Sequence, residues 1–183
     1  MVSRLCVLCH VVLLFVLALA LSGCTTRSAK LPSTRLSEAS QWRFEGKLGV
    51  KATANSGNLS ISWAQIDDAF DVRLYGPLGI TVAEVSGDAG GATLNLPDHP
   101  PLLASSPEAL VREALGYTLP VSPMRYWVRG IPAPGEAFDV TIDGFRQFGW
   151  QVVIRQRDAW GPTKIHMQRP EVSLLLVVKS WDY

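Results

Sequence analysis

The side chains that could do covalent or metal chemistry are few and scattered. The cysteines are Cys6, Cys9 and Cys24, and the histidines are His10, His99 and His166. Cys6-Val7-Leu8-Cys9 has the spacing of a redox or metal pair, yet it lies in an apolar N-terminal stretch that reads as an export signal. His99 stands among prolines and His166 between Ile165 and Met167, neither with a Glu or a second His at metal-ligand spacing. No GxSxG, HExxH, P-loop or GxGxxG occurs, so no nucleophile–base pair, zinc site or phosphate cradle is expected. Asp67-Asp68-Ala69-Phe70-Asp71 has the look of a magnesium-binding DDxxD, but it falls between two alternating stretches, where turn chemistry is the better reading. Asn58-Leu59-Ser60 is a glycosylation sequon by pattern alone. The expectation is a protein that is not an enzyme, with no metal and no cofactor.

Cys24 is the exception. Arg4 is the sole charge before it, Val11 to Leu21 is an unbroken apolar run, and Ser22 and Gly23 are small. That order is a secretory signal, and its apolar run is shorter than the roughly 20 residues a spanning helix needs. Leu21-Ser22-Gly23-Cys24 resembles the bacterial lipobox. The resemblance implies cleavage before Cys24, an S-diacylglycerol on its thiol and an N-palmitoyl on the new amine. At about 0.8 kcal/mol per buried methylene, three acyl chains make a lasting anchor. By the same resemblance Thr25, where an Asp would favour inner-membrane retention, implies export to the outer membrane.

Removing 23 residues from 183 leaves 160, and with Arg4 gone the remaining 16 basic residues balance the 16 acidic ones. A near-zero charge excludes a strongly basic nucleic-acid binder. The shortened chain keeps one cysteine, so it has no internal disulfide. Residues 1–23 are read as signal, 24–33 as lipidated N-terminus and tether, and 34–183 as one domain.

The elements that must position any site are mostly strands. Leu36 to Gln41 reads as a helical turn. Trp42, Phe44, Gly46, Leu48 and Val50 alternate with charged residues, Asn55 to Asn58 turns the chain, and Leu59, Ile61 and Trp63 alternate again, a hairpin over 42–64. Strands follow at Phe70–Tyr75, Ile80–Val85 and Ala92–Leu96, then a proline-rich loop over 97–104. Ser106-Pro107-Glu108 starts a helix that Gly116 stops, and Ser122-Pro123 starts a second, running to Arg129. Phe138–Ile142, Trp150–Arg155, Lys164–Arg169 and a central Val172–Trp181 complete about nine to eleven strands. Runs of strands around a helical insert make an α+β fold, mainly antiparallel β, and a meander of this size curls into a barrel or half-barrel.

What remains for function is apolar. The tryptophans at 42, 63, 127, 150, 160 and 181 suit either a plain core or a cavity wall. Gly76-Pro77-Leu78-Gly79 puts a lone Leu at a loop tip that is normally polar; the tip either enters lipid or folds back onto the body.

In register along nearly the whole chain, these motifs resemble the LolB family, the outer-membrane lipoprotein receptors of the lipoprotein-localisation pathway. The resemblance rests on the lipobox at Cys24, Trp42-Arg43-Phe44-Glu45-Gly46-Lys47-Leu48-Gly49-Val50, Ile61-Ser62-Trp63, Arg73 to Gly79, Leu119 to Pro132, Gly149-Trp150, Pro162 to Ile165 and Lys179-Ser180-Trp181. The proline-rich tract Pro97 to Pro101 departs from the family pattern. The resemblance implies an open half-barrel of about 11 strands, with helices over an apolar cavity. It implies a monomer that accepts acylated lipoproteins from the soluble carrier LolA and incorporates them into outer-membrane lipid, with Gly76, Pro77, Leu78 and Gly79 as the insertion loop. Trp42, Phe44, Leu48, Val50, Ile61, Trp63, Leu74, Trp127 and Trp150 are then the candidate lining of the acyl cavity. The rival readings are an anchored barrel for another small apolar ligand and a structural outer-membrane lipoprotein; an anchored hydrolase is more distant, lacking a nucleophile–base pair.

Overall fold

The computed structural model describes residues 34–52, 56–116 and 118–183. Cys24, the signal segment and the tether lie outside the described residues. A short helix, α1 (Thr34–Glu38), leads into β1 (Gln41–Ala52), β2 (Ser56–Ile66), β3 (Ala69–Tyr75), β4 (Thr81–Asp88), β5 (Gly91–Asn95) and β6 (Leu102–Ala104). Helices α2 (Pro107–Leu115) and α3 (Val121–Trp127) follow, then β7 (Asp139–Thr141), β8 (Gly144–Gln147), β9 (Trp150–Arg157), β10 (Pro162–Arg169) and β11 (Val172–Asp182). The strands form one sheet, entirely antiparallel, in the order β6-β5-β4-β3-β2-β1-β11-β10-β9-β8-β7. Its outer strands β6 and β7 do not pair, so the sheet is an open half-barrel with β1 and β11 at its centre. Among the described residues no helix is long and apolar enough to cross a membrane.

Period-two alternation decides which face is inside. On β1 the side chains of Trp42 and Phe44 are buried while Arg43, Glu45 and Lys47 are exposed. The register sets Phe44 opposite Trp63 on β2 and Trp181 on β11, and Leu48 opposite Leu59 and Leu176. Trp42, Phe44, Trp63 and Trp181 thereby form one aromatic cluster, with ring centroids from 5.2 to 6.2 Å apart. Gly46 lies at a bulge between β1 and β11, where any Cβ would collide with the Val177 carbonyl. A smaller core joins Leu110 of α2 to Ala92 and Leu94 of β5.

Three differences from the sequence expectation have physical causes. The tract expected to be loop over 97–104 ends in β6, which adds to β5 with Leu94 opposite Leu102; three residues are too few for alternation to show. Phe138, Val140 and Ile142 alternate as expected, but they stand on the edge strand β7 and its flanks and are 47%, 71% and 95% exposed. The second helix begins at Val121 rather than Ser122, because Pro123 is still in the first turn, where an N–H has no intrahelical acceptor. The Ser122 N–H is instead satisfied by Glu108 Oε1 of α2 at 2.7 Å, which ties the helices together. The first-helix signals act as expected: Ser106 Oγ accepts from Ala109 N, and Gly116 closes α2 at φ +78°.

Candidate functional site, a covered apolar face and an exposed tip

The antiparallel order gives the sheet two distinct ends. The β1–β2, β3–β4, β5–β6, β8–β9 and β10–β11 connections lie at one, here the tip end. The junction of α1 with β1 and the β2–β3, β4–β5 and β9–β10 connections lie at the other, the tether end.

Eight of the nine candidate lining residues stand on the sheet's inner face, and the ninth, Trp127 of α3, packs onto it. Trp42, Phe44, Ile61, Trp63, Trp127 and Trp150 are buried, each 7% exposed or less. Leu48, Val50 and Leu74 are half-buried against the same cluster, with Ala52, Val72 and Leu119. Cross-strand register places Leu48 beside Leu59, and Leu74 between Ile61 and Ala83, so the less-filled part of the face runs toward the tip end. The face is mostly apolar, with Gln65 buried on it as acceptor for Trp63 Nε1 at 3.1 Å, and aromatic rings fill it at the tether end of β1 and β2 and again around Trp150 at the β8–β9 hairpin.

The segment from α3 to Ala133 covers this face, and two polar side chains fix it. Gln147 on β8 is 3% exposed. Its Oε1 accepts from Trp127 Nε1 at 2.9 Å and from Ala133 N at 2.8 Å, while its Nε2 donates to Ala133 O at 2.8 Å. Arg129 is 6% exposed and has no carboxylate partner among the described residues. Its guanidinium donates instead to the carbonyls of Leu36, Ser37 and Ala39 at the C-terminal end of α1, and to Arg125 O. It also lies over the rings of Trp42 and Tyr126. Burial pulls its pKa below the usual guanidinium value, and a guanidinium stays charged there. A cation suits the negative end of a helix, so Arg129 joins α1, where the described residues begin, to the covering segment.

At the tether end Arg125 of α3 reaches Asp68 in the β2–β3 turn, Nη1 to Oδ1 2.7 Å. Both partners line a depression of about 270 Å³, together with Trp63, Gln65 and Phe70. Asp68 is 64% exposed, so the pair is a weak clasp of about 1 kcal/mol or less.

The loop at the tip end is built to point outward. Gly76 N donates to Ile80 O at 2.8 Å and closes it. Pro77 is in the first position of a short 3-10 turn, Leu78 takes φ +64° and Gly79 φ +77°. Leu78 is 97% exposed and Ile80 63% exposed. A left-handed conformation costs a Leu roughly 1–2 kcal/mol, and no packing at the tip offsets it. A strained residue without a structural contact is a functional candidate.

The residues with a chemical look do not converge. Asp68 is taken by Arg125, and Asp71 pairs with Arg73, which also meets Glu84. Among the described residues no group of three or more His, Cys, Asp or Glu could hold a metal. His99 is exposed, with Nδ1 2.7 Å from Pro97 O. His166 is half-buried, with Nε2 2.8 Å from Ser173 Oγ and Nδ1 3.5 Å from Arg155 Nη2. Burial, followed by the Arg155 and Lys51 charges, pulls its pKa below 6.5. Sequence reasoning missed Gln147 and Arg129. The available signal for Gln147 was a lone amide two residues after Phe145, on the inward phase of a strand; Arg129 carried none, because three of its four acceptors are backbone carbonyls ninety or more positions away.

The family model described as outer membrane lipoprotein LolB matches residues 40–181. A protein of Pseudomonas syringae pv. syringae named outer-membrane lipoprotein LolB is 34% identical, over 94% of this chain and 95% of its own length. One of the same name from Pseudomonas putida is 38% identical, over 81% of this chain and 77% of its own. Among solved structures, a DUF1329 family protein from Desulfovibrio piger superposes with a TM-score of 0.51 at 9% identity, covering 81% of this chain and 87% of that one. At that identity the likeness concerns the fold alone.

Proposed function

This chain belongs to the outer membrane lipoprotein LolB family, and from that premise we propose that it is a lipid-anchored lipoprotein receptor on the periplasmic face of the outer membrane. In this reading residues 1–23 are removed, acylated Cys24 and the 24–33 tether hold the monomeric domain 34–183 at the membrane, and the domain takes acylated lipoproteins from the carrier LolA. It then incorporates them into the outer membrane. No bond is made or broken in the transfer, so the work is that of a chaperone rather than a catalyst.

The physics supports the assignment of parts. Acyl chains leave a carrier only for another apolar surface, at about 0.8 kcal/mol per methylene. The inner face of the half-barrel is such a surface, and the nine residues named above are its wall. The aromatic filling at the tether end leaves the less-filled part of the face, where Leu48, Val50 and Leu74 are half-buried, as the place where acyl chains enter. The open sheet edges disfavour the rival of a closed ligand-binding barrel.

The observation that carries the reading is Leu78, fully solvent-exposed at the apex of a strained, internally bonded loop. Its role is to enter the bilayer during release. The test supplies Leu78→Glu protein with lipoprotein-loaded carrier and outer-membrane vesicles. Transfer from carrier to receptor should persist while delivery to the membrane falls; undiminished delivery rejects the reading. A soluble form lacking Cys24 should still strip acylated lipoprotein from the carrier, and failure there rejects the apolar face as the binding site.

A further inference from the structure

The tether end carries an exposed aromatic corner that no step above uses. Trp160, in the β9–β10 loop, is 62% exposed and Tyr183 is 38% exposed. The loop is a tight turn: Asp158 N donates to Gly161 O at 3.0 Å, and Asp158 Oδ1 accepts from Trp160 N at 2.8 Å and from Gly161 N at 3.0 Å. Tyr183 Oη donates to Trp160 O at 2.9 Å, and the two rings meet edge to face with centroids 6.4 Å apart. The backbone is thus held rigid in order to hold a large ring out in water. Among the described residues no acceptor is bonded to the Trp160 indole N–H. Beside it lies a depression of about 250 Å³ where Lys179, Thr163 and Ser180 stand next to Trp160 and Trp181, with Asp158 also in its lining but turned by Oδ1 to the N–H groups of its own loop.

The position of this corner decides its occupant. Leu36 of α1 lies against Gly161, so tightly that a Cβ there would strike Leu36 Cδ2 at 2.5 Å. The start of the described chain is therefore fixed next to Trp160. Cys24 is ten positions before Thr34, and ten residues reach at most about 36 Å even when extended. The Leu78 loop is at the opposite end of strands that, in β1, run for 12 residues, or about 40 Å. The lipid anchor consequently brings the bilayer to the tether end first. Trp and Tyr favour the headgroup level, where the ring is buried and its N–H or O–H finds an acceptor, and Lys179 with two hydroxyls suits lipid phosphate.

We infer that the Trp160–Tyr183 corner is a second membrane contact, seated in the headgroup layer beside the tether. This inference rests on the proposed anchoring at Cys24 and extends it to two contacts at opposite ends of the barrel. Held by the corner, the domain keeps Leu78 away from the bilayer. Delivery then needs the domain to tip over on a nearly extended tether.

The experiment uses the full acylated protein in phosphatidylethanolamine–phosphatidylglycerol vesicles whose acyl chains carry bromine, which quenches tryptophan on contact. Trp42, Trp63, Trp127 and Trp150 are buried and Trp181 is half-buried, its indole N–H held by Pro162 O, so quenching reads Trp160 with a smaller share from Trp181, and the Trp160→Phe variant separates the two. The intact protein should be quenched, Trp160→Phe should lose most of that quenching, and Leu78→Glu should keep it. Near-ultraviolet circular dichroism verifies that Trp160→Phe is folded. An unquenched intact protein, or equal quenching of Trp160→Phe, overturns the inference. So does an emission that answers to loaded carrier without vesicles, which would make the corner a protein interface. The quenching comparison itself needs no carrier and no delivery, so it stands or falls separately from the role of Leu78.

Discussion

Leu78 allows stability and function to be driven in opposite directions. Its side chain is 97% exposed and its backbone is left-handed at φ +64°. Replacing it by glycine removes the Cβ conflict and should stabilise the fold by about 1 kcal/mol. Replacing it by glutamate should leave stability within about 0.5 kcal/mol, as for a surface site. Both changes remove the apolar group that enters lipid. Burying a leucine is worth about 1.5–3 kcal/mol, so losing it from the insertion step should slow delivery by about 10- to 100-fold. Thermal unfolding gives the first quantity, and transfer of a labelled lipoprotein from carrier to vesicles gives the second. Leu78→Gly should thus be the more stable protein and the poorer deliverer. A fall in stability of more than about 2 kcal/mol in Leu78→Glu would show that the tip packs onto the body. Full delivery by either variant would refute insertion by this residue.

Other perturbations read the covering segment and the sheet. Gln147→Leu leaves Trp127 Nε1 and both backbone groups of Ala133 without partners and should cost about 3 kcal/mol or more by denaturant unfolding. Arg129→Met frees the carbonyls at the end of α1; hydrogen exchange over residues 34–40 should accelerate well before that of β1. The His166 pKa is lowered by folding, so the unfolded chain binds more protons. Stability contributed by the neutral ring is present above pH 6.5 and is lost as the pH falls through the lower folded value. His166→Gln should flatten that slope in urea melts between pH 7 and 5. Phe44→Ala, in the centre of the aromatic cluster, should cost about 3–5 kcal/mol.

Much of the fold was legible because period two is a local property. Trp42, Phe44, Ile61 and Trp63 announce their face by alternation with charged neighbours, and Ser106, Pro107 and Gly116 announce the bounds of α2. The lipobox is likewise local, four consecutive residues after an apolar run. Position in the sheet is not local. Phe138, Val140 and Ile142 alternate as cleanly as a buried strand, yet they stand at a sheet edge with no layer over them, because burial depends on what packs opposite. The same holds for Leu78: sequence presented an apolar tip and left two fates open, while closure of the Gly76–Ile80 bond and the left-handed turn point it outward.

Sequence by itself determined the strand faces, the helix caps, the candidate anchor at Cys24 and the family to which the chain belongs. Only the tertiary structure decided that Arg129 grips the end of α1, that Gln147 binds the covering segment, and that α1, where the described residues begin, and Leu78 lie at opposite ends of the barrel. Those facts join residues tens of positions apart. They arise from the antiparallel order of eleven strands, which alternation along any one strand does not encode.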